Sequence, residues 1–232
     1  MSHYTVGVVI SKEVEETNLA GAVTGALQPF DENLSVEKYI AYTKEELDKM
    51  YESYVGRMEE KGEEVETYEE YVGDFCGCGL DGEGNALSTY NRDAKWDWYV
   101  IGGRWDGLIE TKDGETVNYA RIKDIVFKKE FTDEELSKAK EKYSTLTTKG
   151  DFFKPEYYQR KYPTLEDYLD SHNFSTYALL DRNGEWFEPG EMGWFGVSSA
   201  EPEEEQKFQS QYMQLIKECD PEDWLVVVDC HI

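Results

Sequence analysis

The chain has few cysteines and no long apolar run, and each scarcity excludes a class of protein. Four cysteines in 232 residues are too few for a disulfide scaffold. The C-x-C spacing of Cys76 and Cys78 is not the C-x-x-C of zinc ribbons or redox motifs. No apolar stretch approaches the roughly 20 residues that a membrane span needs, and we expect no signal peptide. These features are typical of a soluble protein in a reducing compartment.

The chain is also poor in basic side chains. It has 24 lysines and arginines against 50 aspartates and glutamates, so its formal net charge is −26 and its pI is about 4.4. Such a surface repels phosphates, and we do not expect direct binding of DNA or RNA. It permits binding to a basic partner surface, and imitation of DNA is one form of that hypothesis. The simpler interpretation is solvated helix faces, because the acidic residues cluster where helices are predicted.

Two of the three histidines lie at the ends of predicted strands. His3 begins the first strand and His231 ends the last. If these strands are antiparallel neighbours, the two imidazoles approach each other near Asp229, which offers a metal or acid–base cluster of His3, Asp229 and His231. The simpler interpretation is two strand-end histidines with ordinary hydrogen-bond partners. No H-x-x-x-H or H-E-x-x-H spacing predicts a metal, and we expect no cofactor.

Two nearly all-apolar segments at opposite ends of the chain predict buried strands. HYTVGVVI at 3–10 and WLVVVDCHI at 224–232 have the composition of strands that are covered on both faces. We therefore predict one α+β domain over residues 1–232, with a central mixed or antiparallel sheet that includes both terminal strands. A ferredoxin-like sheet is the first hypothesis, with helical insertions at about 43–74 and 130–172.

Capping boxes predict where two helices begin. Thr43 with Glu46, and Thr132 with Glu135, have the spacing at which a threonine and an acidic residue satisfy each other's backbone amides. We expect a helix to follow each threonine.

Glycines predict two hairpins and one long loop. Asp113-Gly114 and Asn183-Gly184 each separate two short apolar segments, which is typical of a hairpin turn. Residues 11–35 contain two glycines and a proline and are predicted as a loop.

The segment Asn91–Gly107, NRDAKWDWYVIGGRWDG, is the richest in special residues. Its aromatic residues alternate as along a β-strand. The Gly102-Gly103 pair lets the backbone turn or approach a ligand closely. Arg104 follows, and a guanidinium among indoles can stack or grip an anion. The segment predicts a platform for a flat, anionic ligand or, in the simpler interpretation, a tryptophan-rich strand that anchors the core.

The predicted ligand site combines this segment with a glycine-rich loop at 188–196. Its residues are Trp96, Asp97, Trp98, Tyr99, Gly102, Gly103, Arg104, Trp105 and Trp194. The indoles would stack on a ring, the arginine would pair with the anion, and the glycines would allow close approach. Asp97 and Asp106 are the two carboxylates that we single out for hydrolysis, although an acidic chain brings some pair together by chance.

Several collinear segments resemble a family of uncharacterised phage and prophage proteins. MSHYTVGVVI is similar to the MSHFTVLVIG-type opening of that family, and KWDWYVIGGRW and the terminal VVDCHI are similar to its later motifs. LQPFDENL at 27–34 and WFEPGEMGWFGV at 186–197 extend the resemblance. It implies a phage-encoded accessory protein in the cytoplasm of a bacterial host, and it implies no particular activity.

Three functions from different classes fit the sequence. The first is non-catalytic binding of a small anionic or nucleotide-like ligand by the Trp/Gly-Gly-Arg segment, for example to sequester a signal of host defence. The second is an acidic inhibitor that binds a basic host protein. The third is a metal-assisted hydrolase around His3, Asp229 and His231. An enzyme is the less favoured class, because no Walker motif, nucleophile elbow or dinucleotide fingerprint is present.

Overall fold

The described part of the chain forms two compact units. The computed structural model describes residues 2–73, 79–193 and 196–232, so Cys76, Cys78 and Trp194 lie outside the described residues. The larger unit comprises Met1–Gln28 and Trp96–Ile232, and the smaller comprises Pro29–Lys95. None of the described helices is long and apolar enough to cross a membrane.

The described residues form ten strands and seven α-helices. The strands are β1 (His3–Ile10), β2 (Tyr39–Tyr42), β3 (Ala86–Ser88), β4 (Trp98–Ile101), β5 (Ile109–Glu110), β6 (Thr116–Val117), β7 (Tyr119–Arg121), β8 (Ala178–Leu180), β9 (Trp186–Phe187) and β10 (Trp224–His231). The helices are α1 (Leu19–Leu27), α2 (Lys44–Lys61), α3 (Tyr68–Gly73), α4 (Asp133–Lys149), α5 (Pro155–Lys161), α6 (Leu165–Asp170) and α7 (Pro202–Glu218).

A mixed sheet with the strand order β4-β10-β1-β8-β9 organises the larger unit, and β7 also pairs with β10. β1 and β10 are antiparallel and pair over their whole length, from His3 opposite His231 to Ile10 opposite Trp224. β1 and β8 are parallel. The predicted α+β fold, with both terminal strands in the central sheet, is confirmed. The ferredoxin-like hypothesis is wrong in the sheet itself, because β8 pairs directly with β1 in parallel, whereas a split β-α-β unit places another strand between the two.

Burial accounts for the apolar composition of the terminal strands. β10 is buried along its whole length, and β1 is buried from its second residue onward. One face of the sheet packs against α7, where Val9, Leu225 and Val227 meet Tyr212 and Ile216. The sheet therefore gains most of its stability at the centre, where helix and strands exclude water together.

The prediction of a loop over residues 11–35 is wrong, because α1 lies within it. The buried residues of α1, spaced four apart on one face, are Leu19, Val23 and Leu27. Gly21 and Gly25 face open space, so they lower the intrinsic stability of the helix but do not disturb that packing. Burial of the apolar face outweighs the cost of two glycines.

Both predicted capping boxes are confirmed. Thr43 caps α2 together with Glu46, and Thr132 caps α4 together with Glu135. Hydrogen bonds from the amide and hydroxyl of Thr132 hold the pKa of Glu135 below its usual value. Helices α2 and α3 occupy the first predicted helical insertion, and α4 to α6 occupy the second.

Both predicted hairpins are also confirmed. Asp113-Gly114 lies between the antiparallel strands β5 and β6, and Asn183-Gly184 lies between β8 and β9. The two glycines have φ values of 86° and 83°, a conformation that favours glycine over other residues.

Truncation of a central side chain should destabilise the larger unit. Leu225 is fully buried, so we expect Leu225→Ala to lower the free energy of unfolding by about 2–5 kcal/mol. Leu108→Ala is the matched control, because Leu108 is 37% exposed and should change stability by about 0.5 kcal/mol or less. Urea unfolding followed by circular dichroism measures both. Equal losses in the two variants would contradict this account of the core.

Candidate functional site

The candidate site is a row of three rings across the end of the sheet. Trp98 of β4 pairs in register with His231 of β10, which pairs with His3 of β1. Side chains at paired positions point to the same face. We call these three residues the histidine row. The expected approach of His3 and His231 is thus present, and its cause is the antiparallel pairing of the terminal strands.

The three rings of the histidine row are in mutual contact. The indole of Trp98 stacks on the imidazole of His231, with centroids 5.1 Å apart and planes inclined by 18°. His3 meets both neighbours edge-on, at 5.0 Å from His231 and 5.1 Å from Trp98. Such ring contacts are worth about 0.5–1.5 kcal/mol each beyond the area they bury. The row is therefore a preformed, rigid arrangement.

A buried carboxylate holds His3. The Asp229 side chain is only 2% exposed, and its Oδ1 lies 2.7 Å from His3 Nδ1. Its second oxygen accepts a hydrogen bond of 3.0 Å from the backbone amide of Arg104. Since an ionised carboxylate only accepts, His3 Nδ1 donates. Asp229 thus links the histidine row to the Gly-Gly-Arg turn.

A second carboxylate holds His231 in the same way. Asp97 Oδ1 lies 2.6 Å from His231 Nδ1, and the Asp97 side chain is 34% exposed. The backbone amide of Asp97 also donates to the carbonyl oxygen of His231 at 3.0 Å. Each histidine of the row therefore forms an Asp–His pair with its own carboxylate. One carboxylate is buried, and the other is partly open to solvent.

The second ring nitrogen of each histidine has no hydrogen-bond partner among the described residues. No fully buried side-chain nitrogen of these residues lacks a partner, so each Nε2 retains some exposure, although the side chains of His3 and His231 are only 9% and 7% exposed. With Nδ1–H directed at a carboxylate, the neutral ring presents a lone pair on Nε2. That atom can accept a proton when the ring is neutral and donate one when it is charged.

The Gly-Gly pair makes room for protein side chains and not, as predicted from the sequence, for a ligand. Gly102 and Gly103 have φ values of 74° and 57°. A Cβ on Gly102 would lie 2.5 Å from the Asn118 side chain, and one on Gly103 would lie 2.5 Å from Asp229. The glycines therefore admit neighbouring side chains, not a ligand, and the close packing brings the Arg104 amide onto Asp229.

Several predicted ligand residues are used for packing. Trp96 is only 7% exposed, and its indole N–H donates to the carbonyl of Leu27, so it cannot stack on a ligand. Tyr99 follows Trp98 along the strand and so points to the opposite face, where its hydroxyl bonds to Thr24 of α1. Trp105 is half-buried against the core beneath α7.

Two of the predicted ligand side chains remain open to solvent. Trp98 is 44% exposed despite its contacts with both histidines. Arg104 is exposed, and its guanidinium forms no ion pair or hydrogen bond with any described residue. Asp106 accepts a hydrogen bond from Asn118 and so has a structural partner.

The neighbouring cysteine does not join the site. Cys230 is fully buried and alternates with His231 along β10, so it points to the other face. Burial raises the pKa of its thiol above the usual range, which disfavours the thiolate.

No metal site is built from the described residues. Within residues 2–73, 79–193 and 196–232, no group of three or more His, Cys, Asp or Glu side chains could hold a metal ion. The Nδ1 atoms of His3 and His231 are occupied by carboxylates.

Comparison of the chain with protein-family models, curated proteins and solved structures finds no match.

A side chain at position 103 should disturb the site more than a side chain at position 114. Gly103 and Gly114 both have positive φ, but a Cβ meets Asp229 only at Gly103. We expect Gly103→Ala to lower the free energy of unfolding by about 1–3 kcal/mol, and Gly114→Ala to cost less because only backbone strain applies there. Thermal unfolding measures the difference. If the two variants lose the same free energy of unfolding, Asp229 does not pack against the turn as described.

Proposed function

We propose that the protein binds a small anionic, nucleotide-like ligand on the histidine row, with Arg104 pairing with the anion. The observation that carries this proposal is the Trp98 ring, which is held rigidly by two histidines and yet is 44% exposed. A large ring that is both fixed and exposed offers stacking area at little entropic cost. Base stacking on such a ring is worth about 1–3 kcal/mol.

Arg104 supplies the charge that this ligand needs. Its backbone amide bonds to Asp229, which also holds His3, and its side chain is exposed. Other arginines of the larger unit are engaged: Arg160 pairs with Glu201 and Glu203, and Arg182 pairs with Asp223. The planar guanidinium matches the geometry of phosphate and carboxylate groups. Arg104 is therefore the cation best placed to meet an anionic ligand here.

The acidic surface does not oppose this proposal at short range. The formal charge of −26 is spread over the whole chain. At physiological ionic strength, exposed charges beyond about 8 Å are largely screened. A phosphate that reaches Arg104 would respond chiefly to the groups of the site itself, which are that guanidinium, the two imidazoles and the carboxylates paired with them.

The acidic-inhibitor hypothesis receives less support. Several exposed acidic side chains of the helices pair within their own helix, such as Glu45 with Lys49 and Glu134 with Lys138. These pairs fit solvated helix faces. The phage origin and the host cytoplasm remain predictions from the sequence resemblance, and the ligand proposal does not depend on them.

Isothermal titration calorimetry with nucleoside monophosphates, nucleosides and inorganic phosphate tests the proposal. We expect nucleotides to bind more tightly than either part alone, because Trp98 holds the ring and Arg104 holds the phosphate. Trp98→Ala and Arg104→Ala should each weaken nucleotide binding by roughly 5- to 150-fold.

Matched controls separate a local effect from a general one. Phe152 is 88% exposed, and Arg57 is an exposed arginine without an ion pair to a described residue. Phe152→Ala and Arg57→Ala should leave binding unchanged. If the wild type binds no member of the panel, or if all four variants bind equally well, the proposal is wrong.

A further inference from the structure

We infer that the two Asp–His pairs form a general acid–base pair that cleaves a phosphodiester bond in the ligand. The inference rests on the proposed binding of an anionic ligand to the histidine row, and it goes further in assigning a reaction. Its basis is the juxtaposition of two imidazoles, 5.0 Å apart, each fixed at Nδ1 by a separate carboxylate and each without a described hydrogen-bond partner at Nε2.

Phosphodiester cleavage needs two proton transfers, and the row supplies a group for each. One neutral imidazole takes a proton from the attacking hydroxyl at its Nε2 as the new O–P bond forms. As the P–O bond to the leaving group breaks, the other imidazole, charged at the start, gives its Nε2 proton to the departing oxygen. Exchange of protons with solvent then restores both rings. No oxidant or reductant is needed.

The two histidines differ in their surroundings. Asp229, which holds His3, is buried, whereas Asp97, which holds His231, is partly exposed. This asymmetry gives the two rings different environments, as acid and base roles require.

The surrounding groups of the site fit the same reaction. Arg104 would neutralise charge on the phosphoryl oxygens, and Trp98 would position a base beside the row. Histidines with a purely structural role require only one hydrogen-bond partner for each ring. The histidine row has, in addition, a separate carboxylate for each ring, an unpartnered Nε2 on both rings and an exposed indole stacked on one of them.

Turnover assays distinguish the two possible nucleophiles. Bis-p-nitrophenyl phosphate and a deoxydinucleotide must be attacked by water, whereas a diribonucleotide carries its own neighbouring hydroxyl. We expect the wild type to cleave at least one of these probes. Cleavage of the diribonucleotide alone would identify the internal hydroxyl as the nucleophile, and cleavage of all three would identify water; either outcome supports the inference.

Histidine variants test the acid–base roles. Asparagine can still donate to the carboxylate but has no nitrogen at the position of Nε2, so His3→Asn and His231→Asn should each lower kcat by about 100-fold or more. Binding of a nucleoside monophosphate, which has no diester bond, should weaken far less than kcat falls, because Trp98 and Arg104 remain in both variants. His172→Asn is the matched control, because His172 Nδ1 bonds to the carbonyl of Tyr168 and not to a carboxylate. It should retain full activity.

Asp97 and Asp229 are positioning residues in this scheme. Asp97→Asn and Asp229→Asn keep the shape but no longer fix the Nδ1–H tautomer, so kcat should fall while KM changes little. A purely structural role would instead lower the fraction of folded protein and leave kcat per folded molecule unchanged.

The outcomes separate this inference from the proposed function. If the wild type binds nucleoside monophosphates but cleaves none of the probes, the acid–base inference is overturned and the binding proposal stands. If the wild type cleaves a probe and both histidine variants cleave it with the same kcat, the inference is equally overturned. If no nucleotide binds, both the proposed function and this inference fail.

Discussion

The two terminal strands of the chain pair antiparallel at the centre of the sheet, and this pairing positions the candidate site. Residues from His3 to Ile10 pair with residues from His231 back to Trp224, and both strands are almost wholly buried. This register brings together two histidines that are separated by nearly the whole chain. A shift of one residue would move one imidazole to the opposite face and dismantle the site.

Asp229 connects the core to the candidate site. It lies on β10, two residues before His231, and therefore on the same face of the sheet. Its two oxygens bond to His3 and to the backbone of Arg104, and Gly103 leaves the space for that contact. A buried carboxylate is costly unless it is fully hydrogen-bonded. Its position thus couples the conformation of the turn to the orientation of the imidazole.

Local patterns in the sequence predicted much of the fold, and long-range pairing explains what they missed. The signals for apolar strands, capping boxes and Asn-Gly or Asp-Gly turns each span only a few residues, so these elements could be predicted from the sequence. Helix α1 was not predicted, because its two glycines have low helix propensity. Burial of its apolar face stabilises the helix nevertheless. The approach of His3 and His231 followed from the strand pattern. The Asp97–His231 contact depends on how β4 pairs with β10, which no local signal gives. Strand alternation also misplaced Trp96, because the strand begins only at Trp98.

The proposed mechanism requires both histidines of the row to carry a proton on Nδ1 and to leave Nε2 available. Long-range ¹H–¹⁵N NMR of the imidazole nitrogens in the wild-type protein tests it directly, since the two tautomers give distinct patterns for Nδ1 and Nε2. The account predicts that, when neutral, both rings are in the Nδ1–H form, which is less common in free histidine. Finding either ring with its proton on Nε2, and with no hydrogen bond to Asp97 or Asp229, would contradict it.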